Sequence, residues 1–187
     1  MPILGVIASS RLTTPPAVAA WDHIQTATTI NAKTVTFSGL PSDYHTFKII
    51  GAGYGSGDSI GNTTFNGQST GFYENGNYGS AGGNASFAGS PAINATQIRR
   101  FAVNGSDNNP VWITYFNANS TVTGKTVQGV SAYENATMDF TWQYGAHGTT
   151  SRISSITLST GNSYLGAGNW ASPTTFSVYG MKEGTAI

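Results

Sequence analysis

Hydrophobic and polar residues alternate with a period of two along much of the chain, the pattern of strands that bury one face. The alternation is cleanest over Met138-Asp-Phe-Thr-Trp-Gln-Tyr144. There Met138, Phe140, Trp142 and Tyr144 share one face and Asp139, Thr141 and Gln143 the other, which predicts a strand. Residues 34–38, 45–49 and 155–159 repeat the pattern between Gly, Pro, Asn and Ser, and less regular strands are expected at 22–29, 97–103, 111–116, 125–133 and 175–181. Gly129 shifts the apolar phase from Val127 to Val130, as a β-bulge would. No run holds a helical period.

Many strands without helical crossovers imply an all-β protein, an antiparallel β-sandwich with jelly-roll-like connections. Residues 21–187 are expected to form this one domain, since the length fits a single core comfortably. The segment Val111-Trp-Ile-Thr-Tyr-Phe116 is apolar on both faces, so it is expected to be a central strand or one covered by a partner chain. The second option makes Trp112, Tyr115 and Phe116 a subunit interface.

Two regions depart from the strand pattern. Residues 1–20 combine an apolar start with Thr13-Thr14-Pro15-Pro16, whose prolines disfavour helix and pre-set extended geometry, so they are expected to form an extended N-terminal arm. Residues 51–91 hold about half of the 24 glycines, mixed with Asn and aromatics, and are expected to be a loop excursion. Aromatics among Gly, Ser and Asn resemble adaptable recognition loops, which marks Tyr54, Tyr73 and Tyr78 for contact with a glycan, since aromatic faces stack on sugars.

Composition narrows the function. Charged residues make up only 9% of the chain and the formal net charge is +0, yet 12% of residues are aromatic, so the chain is expected to fold rather than remain disordered. The 8 basic residues are balanced by 8 acidic ones and scattered, which argues against nucleic-acid binding. The absence of cysteine excludes thiol catalysis and Cys-based zinc sites. The apolar start lacks the basic flank of a secretory signal and the length of a membrane span, so residues 1–8 are expected to belong to the mature protein and no membrane partner is expected.

Nor does catalytic spacing stand out. His23, His45 and His147 lie far apart in sequence, no nucleophile elbow singles out a serine, and the acids are dispersed, with Glu134 and Asp139 flanking a turn as the one pair able to approach. The series Gly51-Ala-Gly-Tyr-Gly-Ser-Gly57 does not match a phosphate cradle, and Asp58 and Asp107 lack calcium-loop spacing. Sequons at Asn62, Asn84, Asn94, Asn104, Asn119 and Asn135 read as compositional. No catalytic residue, cofactor or metal is expected.

Several segments, taken in their order and spacing, resemble a family of small virion structural proteins of tailed phages, notably cyanophages. They are Met1-Pro-Ile-Leu-Gly-Val-Ile-Ala-Ser-Ser10, Trp21-Asp-His-Ile-Gln-Thr26, residues 34–49, Thr64-Phe-Asn-Gly67 and Thr175-Phe-Ser-Val-Tyr-Gly-Met-Lys182. The resemblance covers nearly the whole chain and departs from the family over residues 68–91, which are richer in glycine. It implies a non-enzymatic virion protein: a capsid decoration or cement protein, or a tail- or fibre-associated module. The arm's Ile3, Leu4, Val6 and Ile7 are then expected to dock onto capsid or tail proteins by groove insertion or strand addition.

Overall fold

A computed structural model describes residues 20–29, 32–53, 59–68, 70–80, 92–95, 98–103, 109–134, 138–160, 169–170 and 174–182. The expected arm lies outside these residues. Among the described residues there are twelve strands: β1 (Asp22–Thr29), β2 (Thr34–Ser38), β3 (Thr46–Gly53), β4 (Ser59–Phe65), β5 (Phe72–Ser80), β6 (Ala92–Ala95), β7 (Ile98–Val103), β8 (Asn109–Phe116), β9 (Lys125–Glu134), β10 (Met138–His147), β11 (Ser155–Thr160) and β12 (Thr174–Met181). All strand pairs are antiparallel. They form an eight-stranded sheet, β1-β12-β3-β8-β9-β10-β5-β6, and a four-stranded sheet, β2-β11-β4-β7.

The order of pairing identifies the topology. β1 pairs with β12, β2 with β11, β3 with β8 and β4 with β7, so the first part of the chain pairs with the last part in nested sequence. Folding that long double ribbon over itself puts β1-β12-β3-β8 in one layer and β2-β11-β4-β7 in the other. This is the jelly roll, two interleaved Greek keys. The β9–β10 hairpin and the β5–β6 pair then widen the first layer beyond β8.

Alternation decides which side chains fill the space between layers. Val35 and Phe37 of β2, Phe65 of β4, and Ile156 and Leu158 of β11 face Phe47 and Ile49 of β3, Val111, Ile113 and Tyr115 of β8, Val127 of β9, and Phe176 and Val178 of β12 in one buried cluster. Each large side chain so buried contributes about 1.5–3 kcal/mol from the removal of apolar surface from water. One polar and one aromatic contact join the layers or close them: the hydroxyls of Thr63 in β4 and Tyr115 in β8 hydrogen-bond across the core, and Trp170 packs edge-on to Phe176 with ring centroids 5.0 Å apart.

The turn after β4 is set by Asn66 and Gly67, which hold φ of 52° and 63° while the Gln68 N–H donates to the Phe65 carbonyl at 3.0 Å. Two consecutive left-handed residues make this a type I′ turn, for which Asn-Gly is the preferred pair. The Asn66 amide also fastens a distant segment. Its Oδ1 accepts from the Ser154 and Ser155 N–H groups at 2.7 and 3.2 Å, and its Nδ2 donates to the Arg152 carbonyl at 2.6 Å.

Two expectations are corrected. Region 51–91 is not a continuous loop: it includes the end of β3, all of β4 and all of β5. Glycine and asparagine are poor strand formers, but β5 is paired with β10 at every position from Phe72 to Ser80, so long-range pairing overrides local propensity. Nor is there a bulge at Gly129. Its register is unbroken with both β8 and β10, and the phase change arises because Val127 points into the core while Val130 is paired with the outward Trp112. Register shifts occur instead at 23/25 in β1, 61/62 in β4 and 72/74 in β5.

Candidate recognition face

The outer face of the eight-stranded sheet is built by the same alternation that fills the core. On β8, Val111, Ile113 and Tyr115 are buried, so Trp112, Thr114 and Phe116 face outward. Trp112 is 51% exposed and Phe116 36%. Tyr115 is fully buried, which removes it from the expected subunit interface: it shares the parity of Val111 and Ile113, and only Trp112 and Phe116 of that set reach the surface. Burial raises its hydroxyl pKa well above the ordinary tyrosine value, opposed in part by the Thr63 hydrogen bond.

On β10, Tyr144 is 53% exposed whereas Gly145 and His147 are buried. The face that Tyr144 occupies is therefore the solvent side of the sheet, contrary to a core reading of that apolar stripe. His147 points inward between Phe65 and Phe72, with centroids 5.5 and 4.6 Å away. Its Nδ1 accepts from the Thr149 N–H at 2.9 Å, so the ring is held as the neutral tautomer that donates from Nε2 to the Thr70 carbonyl at 2.8 Å.

Register aligns the outward residues in rows. One row runs Ser177, Ile50, Trp112, Val130; the next runs Tyr179, Lys48, Thr114, Gln128, Tyr144; a third runs Phe116, Thr126, Ala146, Tyr73. Tyr73 is 50% exposed. With strands ~4.8 Å apart and ~3.4 Å per residue, Trp112 and Tyr144 are ~12 Å apart, Tyr144 and Tyr73 ~8 Å apart, and the three lie on one diagonal. Thr114, Gln128 and Thr126 sit among them and supply neutral hydrogen-bonding groups. Lys48 Nζ lies 4.7 Å from the Trp21 ring centroid, a cation–π contact that draws this charge toward β1.

At one end of the sheet, Lys182 bonds Asp43 at 2.7 Å and lies over the Tyr44 ring, and Tyr44 donates to Asp22 at 3.0 Å. The Lys182 hydrogen bond holds the Asp43 carboxyl below its usual range. Partial burial, with Asp22 as the lesser cause, raises the Tyr44 pKa. At the same end, where the Ala118 N–H donates to the His45 carbonyl at 2.7 Å, the 117–124 loop closes around Lys125, whose Nζ donates to the Ser120 and Thr123 carbonyls at 2.6 and 3.4 Å, and burial lowers this ammonium's pKa. That support holds the loop while Val122 projects from it, 82% exposed.

The remaining expected residues divide plainly. Ile3, Leu4, Val6, Ile7 and Tyr54 lie outside the described residues, as do the side chains of Tyr78, Glu134 and Asp139. His23, His45 and His147 are not brought together, and among the described residues no group of three His, Cys, Asp or Glu is placed to hold a metal. Asn62, one of the sequon asparagines, is only 3% exposed, so no glycan fits on it in the folded chain. Tyr144 is the site residue the sequence concealed. Its alternation with Asp139, Thr141 and Gln143 marks a strand with two faces and does not say that Tyr144 points outward.

The fold and this face define an antiparallel jelly-roll sandwich with an exposed, neutral aromatic surface. Comparisons with protein-family models, curated proteins and solved structures find no match.

Proposed function

We propose that the chain is a non-enzymatic structural protein of a tailed-phage particle: a capsid decoration or cement protein that docks through residues 1–20 and carries the jelly roll outside the shell. The observation that supports this most is the nested jelly-roll wrap, an architecture used repeatedly in viral coats and in lectins. The segments that resemble phage virion proteins add to it. In this role the protein assembles as a homo-trimer with other virion proteins as partners. Deleting residues 1–10 is expected to abolish incorporation into particles while the isolated domain keeps its cooperative melt. Normal incorporation of the truncated chain would refute docking by the arm.

A second reading is favoured by a separate observation. The exposed rings of Trp112, Tyr144 and Tyr73 suit a tail- or fibre-associated module that recognises host surface glycans. Labelling the protein in purified particles distinguishes the two locations: signal over the capsid supports decoration, and signal confined to the tail supports receptor binding.

A further inference from the structure

We infer that the outer face of the eight-stranded sheet is a saccharide-binding platform for an extended, uncharged polysaccharide, which runs along the diagonal Trp112–Tyr144–Tyr73. The inference rests on the glycan-recognition reading above and assigns it to particular residues, two of which lie outside the glycine-rich region where such contacts were expected.

Three observations carry it. The rings are 51%, 53% and 50% exposed on strands paired within the sheet, and an aromatic side chain has only two χ angles to order, so they offer contact area at little cost in conformational entropy. The C–H groups on one side of a pyranose are slightly positive and pack on the negative face of an aromatic ring. The diagonal spans ~20 Å between Cα atoms, so several consecutive sugars are engaged rather than one.

The chemistry between the rings points the same way. Gln128 adjoins Tyr144 in its row with Thr114 next beyond it, and Thr126 lies in the row of Tyr73; hydroxyl and amide groups pair with sugar hydroxyls without requiring charge. Lys48 is the one charged side chain in these rows among the described residues, and it is engaged with Trp21. An acidic polymer would find little complementary charge here. A second copy of the chain is the competing occupant, but protein interfaces concentrate their apolar groups in a contiguous dry centre. Here Thr114 and Gln128 lie between Trp112 and Tyr144, and the apolar stretch Ile50–Trp112–Val130 is confined to one row.

The test is native gel electrophoresis of the full chain in gels containing dextran, mannan or hydroxyethyl cellulose, joined to a glycan array of neutral oligosaccharides. Retardation by at least one polymer is expected, with affinity falling about tenfold in Trp112→Ala and again in Tyr144→Ala. Each variant should melt like the parent protein, because these rings are outside the core. Gln128→Leu keeps the apolar area but removes the amide, and should also weaken binding. If the parent is retarded and the ring variants bind equally well, the assignment to this face is overturned while glycan recognition stands. If no polymer or array glycan binds the parent, both fall. If the ring variants instead only change the mass of a self-associated species, the face is a contact between copies and the proposal is wrong.

Discussion

Replacing Gly51 by alanine tests whether the core is packed as described. Gly51 lies on β3 directly opposite Phe176 of β12, and a Cβ added there would come within 2.2 Å of Phe176 Cδ1 and 2.7 Å of the Thr175 carbonyl oxygen. The ring has little room to retreat, because it is fully buried and packs edge-on against Trp170. The carbonyl belongs to a strand paired on both sides, with β1 and β3. Overpacking of this kind costs about 3 kcal/mol, and in a domain of this size that lowers the melting temperature by roughly 6–12 °C. Gly129 on β9 is the control: a Cβ there meets only Ile113 Cγ1 at 3.8 Å and the Trp112 carbonyl at 3.9 Å, ordinary contacts. Gly129→Ala should therefore leave stability within about 1 kcal/mol of the parent, with a slight gain from the restricted unfolded chain. Urea unfolding followed by tryptophan fluorescence measures both. Pairing Gly51→Ala with Phe176→Leu should recover part of the loss, since a shorter side chain relieves the first contact. A Gly51→Ala protein as stable as the parent, or a Gly129→Ala protein equally damaged, would refute this account of the interlayer packing.

Tyr115→Phe removes the hydroxyl that meets Thr63 in the core and leaves the Thr63 oxygen without that partner, so it should cost about 1–2 kcal/mol in urea unfolding. The same variant carries a pH signature. The folded-state pKa of Tyr115 is raised, so above pH 10.0 the unfolded chain releases this proton first and stability falls as pH rises; the slope should be smaller in Tyr115→Phe. Asn66→Ala loses the amide contacts to residues 152–155 and places a Cβ-bearing residue without a helpful side chain at positive φ, so it should cost about 2–3 kcal/mol, and Asn66→Gly less, as thermal melts would show.

The strand segments were legible because alternation is a local property. β1, β2, β11 and β12 fall within a residue or so of where the pattern puts them, and an antiparallel sandwich follows from their number and the lack of helical periods. β4 and β5 were not legible: Gly61 and Asn62 interrupt the alternation of β4, the Gly- and Asn-rich sequence of β5 matches strand chemistry poorly, and both are held by partners far along the chain. The candidate face was half legible. Trp112, Phe116 and Tyr73 stood out by residue type, but β8 carries large apolar residues on both faces, and the one apolar stripe of β10 gives no sign that Tyr144 points to solvent rather than to the core.

A period of two establishes that a strand has two different faces and leaves their assignment open when both carry aromatics. By itself the sequence determined the strand class, the low charge and the neutral polar chemistry available to a ligand. Only the tertiary structure decided that Tyr115 goes inward and Tyr144 outward, and that β1 meets β12 from the opposite end of the chain. Those choices depend on which layer each strand joins, and that is set by pairing between segments too distant in sequence for any local pattern to record.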